Sequence, residues 1–294
     1  MKLIYSQKYE IDLGEHPFNT RKYSILRNFL KDLNIKDLEF VESRPATKEE
    51  LELVHEKGYV ERVLNLSLSY DEILRLELPF NEEVRDAGLY AVGGTIMASE
   101  IALKEKVGLH LGGGWHHSFA DHGEGFCVFN DLAVATKILQ KKFGIKKVAI
   151  IDCDLHQGNG TAKIFEEDKT VFTFSIHEEG IYPYPKQKSS LDIGLPYGTS
   201  DDEYLIQLDR GLKKVVNWQP EVCLYQAGVD PYEKDKLGNL KITKEGMKKR
   251  DRIVKDSFYN IPTVVTLGGG YAIDVNDTAE LHFNTVKIFL GVDV

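Results

Sequence analysis

The segment VAIIDCDLH, residues 148–156, decides the fold. Its first four residues are apolar and largely β-branched, which is typical of a strand buried on both faces of a parallel sheet. Its last five residues alternate polar and apolar side chains, so we expect Asp152, Asp154 and His156 to share one face at the strand end. Three side chains that can bind a metal ion would then point the same way.

The segments around it alternate between strand and helix patterns. Residues 171–174 and 263–267 are further β-branched apolar runs, whereas residues 131–143 place apolar side chains at helical spacing. Two capping boxes, Thr47-x-x-Glu50 and Ser200-x-x-Glu203, predict the starts of two other helices. Strands that alternate with helices of this length predict a three-layer α/β/α fold with a mostly parallel central sheet.

The composition is that of a globular protein. The 294 residues are 42% hydrophobic and 28% charged, and no repeat or Pro/Gly/Ser-rich linker divides them, so we expect a single domain over residues 1–294. The net charge is -9 and no long Lys/Arg block is present, which argues against a nucleic-acid partner.

The chain carries no sign of secretion or membrane insertion in its sequence. Residues 1–16 lack the apolar core of a secretory signal, and no apolar run approaches the ~18 residues of a membrane span. Its three cysteines form no CxxC pair, which argues against a disulfide framework and against a cysteine zinc site. We therefore expect a cytoplasmic protein without a membrane partner.

Polar side chains follow the predicted strands, at the points where the chain leaves the sheet. Asp230 follows the apolar run 222–226, just as Asp154 and His156 follow the run at residue 148. Ligands of such sheets bind beyond the carboxyl ends of the strands. Two carboxylates and one imidazole would complete an open catalytic zinc site, although each aspartate taken singly could instead cap a helix.

Two glycine runs precede further reactive side chains. In GGGWHH, residues 112–117, the glycines let the backbone approach another group closely. His116 and His117 could supply an acid and a base, could bind a metal ion, or could be an accident of composition. Tyr271 follows the second run, and a lone tyrosine is often only a half-buried amphipathic residue.

Five segments in this order resemble the histone deacetylases, most closely class IV and its bacterial relatives. They are GGGWHHSFADHGEGFCVFND (112–131), IDCDLHQGNGTAKIF (151–165), FSIHEEGIYP (174–183), QAGVDPYEKDKLGNL (226–240) and LGGGYA (267–272). The resemblance implies the arginase/deacetylase-like fold and a zinc-dependent hydrolase that removes acyl groups with a metal-activated water. Iron(II) can occupy a similar site of oxygen and nitrogen ligands.

The same resemblance assigns roles to individual residues. It implies that Asp154, His156 and Asp230 bind the zinc ion, and that His116 and His117 transfer protons. Tyr271 would donate a hydrogen bond to the substrate oxygen.

Further implied roles belong to residues around these groups. Asp152 would orient His116, and Asn159 stands where other classes carry an aspartate that orients the second histidine. Phe126 with Gly125 would form one wall of an acyl-lysine tunnel, and Tyr182 the facing wall, although both aromatic residues could be ordinary core residues. Gly269 is expected in the same substrate-binding set.

The family resemblance also implies a structural potassium ion near the zinc site. The residues that match this pattern are Asp152, Asp154, His156, Ser175 and Ile176.

The substrate class stays open between acyl-lysine in a protein or peptide and a small acylated amine such as an acetylpolyamine. Two other functions compete. An arginase-like ureohydrolase would use two manganese ions, but the acidic residue it needs directly after His156 is missing. A catalytically silent acyl-lysine binder would be expected to have lost at least one of the catalytic groups.

Overall fold

The computed structural model of the chain describes residues 1–33, 35–36 and 38–292. Eight strands form one sheet: β1 (Lys2–Tyr5), β2 (Glu39–Glu42), β3 (Val107–His110), β4 (Val148–Asp152), β5 (Val171–Glu178), β6 (Leu191–Leu195), β7 (Val222–Gln226) and β8 (Thr263–Thr266). Their order is β2-β1-β3-β8-β7-β4-β5-β6, and each adjacent pair of these strands is parallel. The predicted α/β fold with a mostly parallel sheet is confirmed.

Helices join all consecutive strands except β5 and β6, which residues 179–190 connect without a helix. Parallel pairing requires crossover connections of about this length or more. The helices are α1 (Lys22–Asp32), α2 (Lys48–Leu51), α3 (Lys57–Leu64), α4 (Tyr70–Leu76), α5 (Glu82–Glu105), α6 (Asp131–Phe143), α7 (Asn159–Ile164), α8 (Asp201–Asn217), α9 (Lys244–Ser257) and α10 (Val275–Leu290). Helix α10 packs between α1 and α9, and α9 packs between α10 and α8. Helix α5 packs against α6 and the sheet. Among the described residues, no helix is both long enough and apolar enough to cross a bilayer.

Local sequence patterns predicted several of these elements closely. Helix α6 spans the predicted residues, and Thr47 and Glu50 form the predicted capping box at α2. The helix expected after Ser200 is present as α8, but Ser200 makes no side-chain cap hydrogen bond, so that box was wrong. Three acidic residues in the first turn of α8 already complement the positive helix terminus.

The carboxyl ends of three central strands lie next to one another at one edge of the sheet. Strands β4, β7 and β8 are buried along their whole length. Their last residues lie side by side, because Asp152 pairs with Gln226 and Gln226 pairs with Thr266. The loops that follow these strands therefore meet at one edge of the sheet.

Candidate active site

The two adjacent histidines lie in the loop after β3, and the start of α6 holds this loop in place. Asp131, the first residue of α6, accepts hydrogen bonds from the backbone N–H of Gly114 (3.0 Å) and of Trp115 (2.7 Å). Both histidines are buried, with 3% and 5% of His116 and His117 exposed. The structure therefore brings them into the site, which argues against an accident of composition.

Each histidine has a different partner behind it. His116 Nδ1 lies 2.7 Å from Asp152 Oδ2, whereas His117 Nδ1 lies 2.7 Å from Asn159 Oδ1. The two ring centroids are 4.0 Å apart. A carboxylate thus supports one ring and a neutral amide the other.

This difference shifts the pKa values of the two rings in opposite directions. Burial lowers the pKa of His116, but the carboxylates of Asp152 and Asp154 outweigh it and raise the pKa to about 9. Burial, together with the charge on His116, holds the pKa of His117 well below its ordinary value. These shifts favour the protonated form of His116 and leave His117 as the ring able to accept a proton.

The structure brings the three expected metal ligands together from the loops after β4 and β7. Asp154, His156 and Asp230 are all buried, and each offers a ligand atom within 4.8 Å of the others. His156 Nδ1 lies 3.3 Å from Asp154 Oδ1 and 3.2 Å from Asp230 Oδ2. Strand β4 ends at Asp152 and the chain bends over residues 154–156, so Asp154 and His156 reach Asp230 through a turn. The strand that was expected to continue in alternation from Asp152 to His156 is therefore not present.

The charge of this cluster fits a bound cation. Burial and the neighbouring Asp154 carboxylate raise the pKa of Asp230 above its usual range. Two buried carboxylates at this separation repel each other, and a divalent ion would remove that cost. Carboxylate and imidazole are donors that zinc accepts, and three protein ligands leave a position for water.

Hydrogen bonds to the ligands fix their orientation. Asp154 Oδ2 accepts from Gln226 Nε2 (2.9 Å) and from the backbone N–H of Gly269 (3.0 Å), and Asp230 Oδ1 accepts from Leu155 N–H (2.9 Å). A Cβ atom at Gly269 would lie 2.5 Å from an oxygen of Asp154 and 2.5 Å from one of Asp230. Glycine is therefore required here for close approach to the carboxylates.

Tyr271 lies at the wall of a cavity that opens onto this cluster. The cavity has a volume of about 260 Å³ and is lined by Glu77, His117, Gly125, Phe126, His156, Ile181, Tyr182, Leu237 and Tyr271. The expected tunnel residues Phe126, Gly125 and Tyr182 thus share one space. Gly269 instead lines a smaller neighbouring cavity, beside Asp154 and Gly268.

The phenol of Tyr271 is held as a hydrogen-bond donor. Burial, and then the carboxylates of Asp154 and Asp230, raise the pKa of Tyr271 well above its ordinary value. Its backbone N–H donates to Asp235 Oδ2 at 2.6 Å, which anchors the glycine turn before it. Tyr271 therefore keeps its proton and can offer it to an acceptor in the cavity.

The residues expected around a potassium ion lie at the junction of β4 and β5. Ser175 pairs in register with Asp152, and Ile176 follows it in the fully buried part of β5. Ser175 Oγ lies 2.9 Å from His177 Nδ1. The expected residues are adjacent, and potassium itself stays a prediction.

Three residues of the site were missed by sequence reasoning. Gln226 holds Asp154, Glu124 binds Asn159, and buried Lys22 donates to the carbonyl of Gly268 (2.9 Å). Burial lowers the pKa of Lys22 to about 8, against the opposing charge of the two aspartate ligands. Gln226 and Glu124 lie inside segments that resembled the family, so their position in those motifs was the available signal.

Comparisons with known proteins agree with this geometry. A sequence profile of the histone deacetylase domain matches residues 16–286. An uncharacterised protein of Picosynechococcus sp. is 39% identical over 285 residues and covers 95% of both chains. Histone deacetylase 2 of Arabidopsis thaliana is 33% identical over 92% of this chain and 74% of its own. The acetoin utilization protein AcuC of Staphylococcus aureus is 32% identical over 88% of this chain and 73% of its own.

Two crystal structures share the architecture. An HDAC homologue complexed with SAHA superposes with a TM-score of 0.85 at 27% identity, over 100% of this chain and 84% of that one. The HDA15 HD domain gives a TM-score of 0.82 at 24% identity, over 99% of this chain and 88% of that one. The second match supports the fold alone.

Proposed function

The chain belongs to the histone deacetylase family, and from this premise we propose that it is a zinc-dependent hydrolase that removes acetyl or longer acyl groups from lysine side chains or similar amines. The family relationship supports deacetylase activity in general. The observation that carries the finer proposal is that three metal-competent ligands converge beside a cavity lined by His117, His156 and Tyr271.

Asp154, His156 and Asp230 would hold the metal ion. A bound zinc ion would polarise the acyl carbonyl and lower the pKa of a water molecule from about 15.7 to about 7. Iron(II) accepts the same donor atoms and is the alternative metal.

His117 is the proposed base and acid. Its neutral ring can take a proton from the attacking water and return it to the departing amine. Asn159 orients this ring through the 2.7 Å hydrogen bond at Nδ1. His116, held cationic by Asp152, supports the negative charge that develops beside it.

Tyr271 is the proposed donor to the acyl oxygen. Negative charge moves onto that oxygen as water adds to the carbonyl carbon, and a preorganised donor stabilises this charge more than it stabilises the substrate. Phe126 and Tyr182 would enclose the chain that carries the acyl group.

A second substrate class has one observation in its favour. Glu77 is among the residues that line the cavity. A carboxylate there favours a substrate with a second positive charge, such as an acylated polyamine, over a neutral peptide.

The remaining expectations are carried as part of this proposal. Within the part of the chain that the structure describes, one connected set of buried apolar side chains and one sheet support the proposal of a single catalytic domain over residues 1–294. Potassium at the junction of β4 and β5 and the class IV assignment follow from the family resemblance. A cytoplasmic location stays a prediction.

The test is turnover on acetyl-, butyryl-, octanoyl- and myristoyl-lysine peptides and on acetylated polyamines, before and after chelation and with zinc or iron added back. Hydrolysis that disappears with the chelator and returns with metal would support the proposal and report the preferred substrate. Metal-loaded protein that hydrolyses none of these compounds would refute it and favour a silent acyl-lysine binder.

A further inference from the structure

A carboxylate lies directly behind the pair formed by His117 and Asn159. Glu124 Oε1 accepts hydrogen bonds from Asn159 Nδ2 (2.6 Å) and from the Tyr182 hydroxyl (2.9 Å), and Oε2 lies 3.5 Å from His122 Nε2. Burial raises the pKa of Glu124, but hydrogen bonds from His122, Asn159 and Tyr182 outweigh it and hold the pKa below its usual range. Glu124 is therefore an anion in the folded protein.

This anion dictates which way the Asn159 amide points. An ionised carboxylate can only accept hydrogen bonds, so the group of Asn159 that faces it must be the NH₂. The amide oxygen then faces His117, 2.7 Å from Nδ1. Because an amide oxygen only accepts, His117 must carry its proton on Nδ1 and keep the lone pair on Nε2.

The opposite arrangement would be inactive. If the Asn159 amide turned by half a rotation, its NH₂ would face His117 and select the tautomer with the proton on Nε2. That ring could not accept a proton through Nε2. An asparagine alone does not choose between these two states, because its two ends have nearly the same shape.

We propose that Glu124 is a positioning residue for the reaction, which locks the Asn159 amide and so holds His117 in the tautomer that can act as a base. The inference rests on the proposed function. The proposal also accounts for asparagine at position 159. The negative charge expected there is carried by Glu124, which is linked to the His117 ring through Asn159. The same carboxylate ties the cavity wall at Tyr182 to the base.

The first test is a double-mutant cycle of Glu124→Gln with Asn159→Asp. Glu124→Gln keeps the shape, but it can donate as well as accept, so the Asn159 amide is free to turn. It also removes the negative charge that stabilises protonated His117 through Asn159. Because both effects act on the base, kcat should fall about tenfold, with KM within about twofold. In the Asn159→Asp background two carboxylates face each other at Glu124, and Glu124→Gln should instead raise kcat because it removes their repulsion. The same loss in both backgrounds, or none in either, would overturn the proposal.

A matched control is Asp121→Asn. This residue lies on the same turn and also contacts His122, at 2.6 Å, but its side chain is 59% exposed. The substitution Asp121→Asn removes one negative charge near Glu124 without changing a contact of Asn159, so kcat should stay within about twofold of the wild type. A loss equal to that of Glu124→Gln would assign the effect to local charge rather than to the amide.

The second test does not depend on turnover. Imidazole ¹⁵N NMR of the purified protein should show His117 with its proton on Nδ1, and Glu124→Gln should populate the other tautomer. If the wild type hydrolysed no acyl-amine but the tautomer changed in this way, the proposed function would fail while the positioning role stood. If the wild type were active and the variant changed neither tautomer nor kcat, the positioning role would fail alone.

Glu124→Asp is a second variant that tests the proposal if Glu124→Gln fails to fold. It keeps the charge, but its shorter side chain cannot reach Asn159 in the same way, so kcat should fall while the thermal unfolding midpoint stays close to that of the wild type. Full activity in Glu124→Asp would contradict a role that depends on the hydrogen bond to Asn159.

Discussion

Replacing Tyr271 with phenylalanine removes one hydroxyl from the cavity and leaves the ring in place. The ring packs against Phe18 and Phe126, with centroids 6.4 and 6.0 Å away, and neither contact uses the oxygen. Within the described residues, the Tyr271 hydroxyl has no hydrogen-bond partner, so its removal leaves no protein group unsatisfied. The variant should fold like the wild type.

The expected cost falls on the transition state. Loss of one donor to a developing oxyanion costs about 2.7 to 4 kcal/mol, which is a fall of about 10²- to 10³-fold in kcat. KM should change little, because the carbonyl oxygen of the bound substrate is a weaker acceptor than the oxyanion. Tyr271 is not a metal ligand, so the zinc content should be unchanged.

The assay is steady-state turnover on the best acyl-lysine peptide, with zinc measured in the same samples. Tyr182→Phe is the matched comparison, because it removes a hydroxyl from the same cavity that donates to Glu124. The Tyr182 hydroxyl donates to Glu124 before any reaction begins, so the ~1.5 to 3 kcal/mol of a hydrogen bond to a charged group contributes to folding and not to the transition state. The kcat of Tyr182→Phe should therefore fall less than that of Tyr271→Phe. A Tyr271→Phe enzyme that kept kcat within about fivefold of the wild type would refute the donor role.

Three further predictions concern the metal, the pH and the core. Asp154→Asn and Asp230→Asn should each abolish stoichiometric zinc binding, because an anionic donor is lost; elemental analysis of dialysed protein that still found one ion per chain would contradict the ligand assignment. Burial lowers the pKa of His55 to about 4. As the pH falls, His55 of the unfolded chain is protonated near pH 6.5, whereas His55 of the folded chain stays neutral until about pH 4. The stability that this difference contributes above pH 6.5 is therefore lost as the pH falls toward 4. The free energy of unfolding, measured by urea titration across this pH range, should depend more steeply on pH in the wild type than in His55→Gln, by up to about 1.4 kcal/mol per pH unit. Equal slopes would exclude His55 as a cause of the pH dependence. Asp251→Ala should lower the free energy of unfolding by about 3 to 5 kcal/mol, because fully buried Arg250 would lose its counter-ion; a loss under about 1 kcal/mol in urea titration would show that the pair is not required.

Local patterns in the sequence were enough for the architecture. The apolar run at residues 148–151 became β4, and the periodic residues 131–143 became α6, because burial on both faces and helical amphipathicity are written into neighbouring residues. The rule that ligands bind beyond the carboxyl ends of parallel strands then placed Asp154, His156 and Asp230 near one another, before any distance was known. Their convergence in the structure agrees with that expectation.

The partners behind these groups were decided by the tertiary structure. His116 meets Asp152 across 36 residues of chain, His117 meets Asn159 across 42, and Asn159 meets Glu124 across 35. No local periodicity records such contacts, because they depend on how separate loops pack at the sheet edge. The sequence by itself determined which chemical groups reach this edge. Only the fold decided which histidine receives a carboxylate and which an amide, because burial and a hydrogen-bond partner at about 2.7 Å exist only once the distant loops have been brought together.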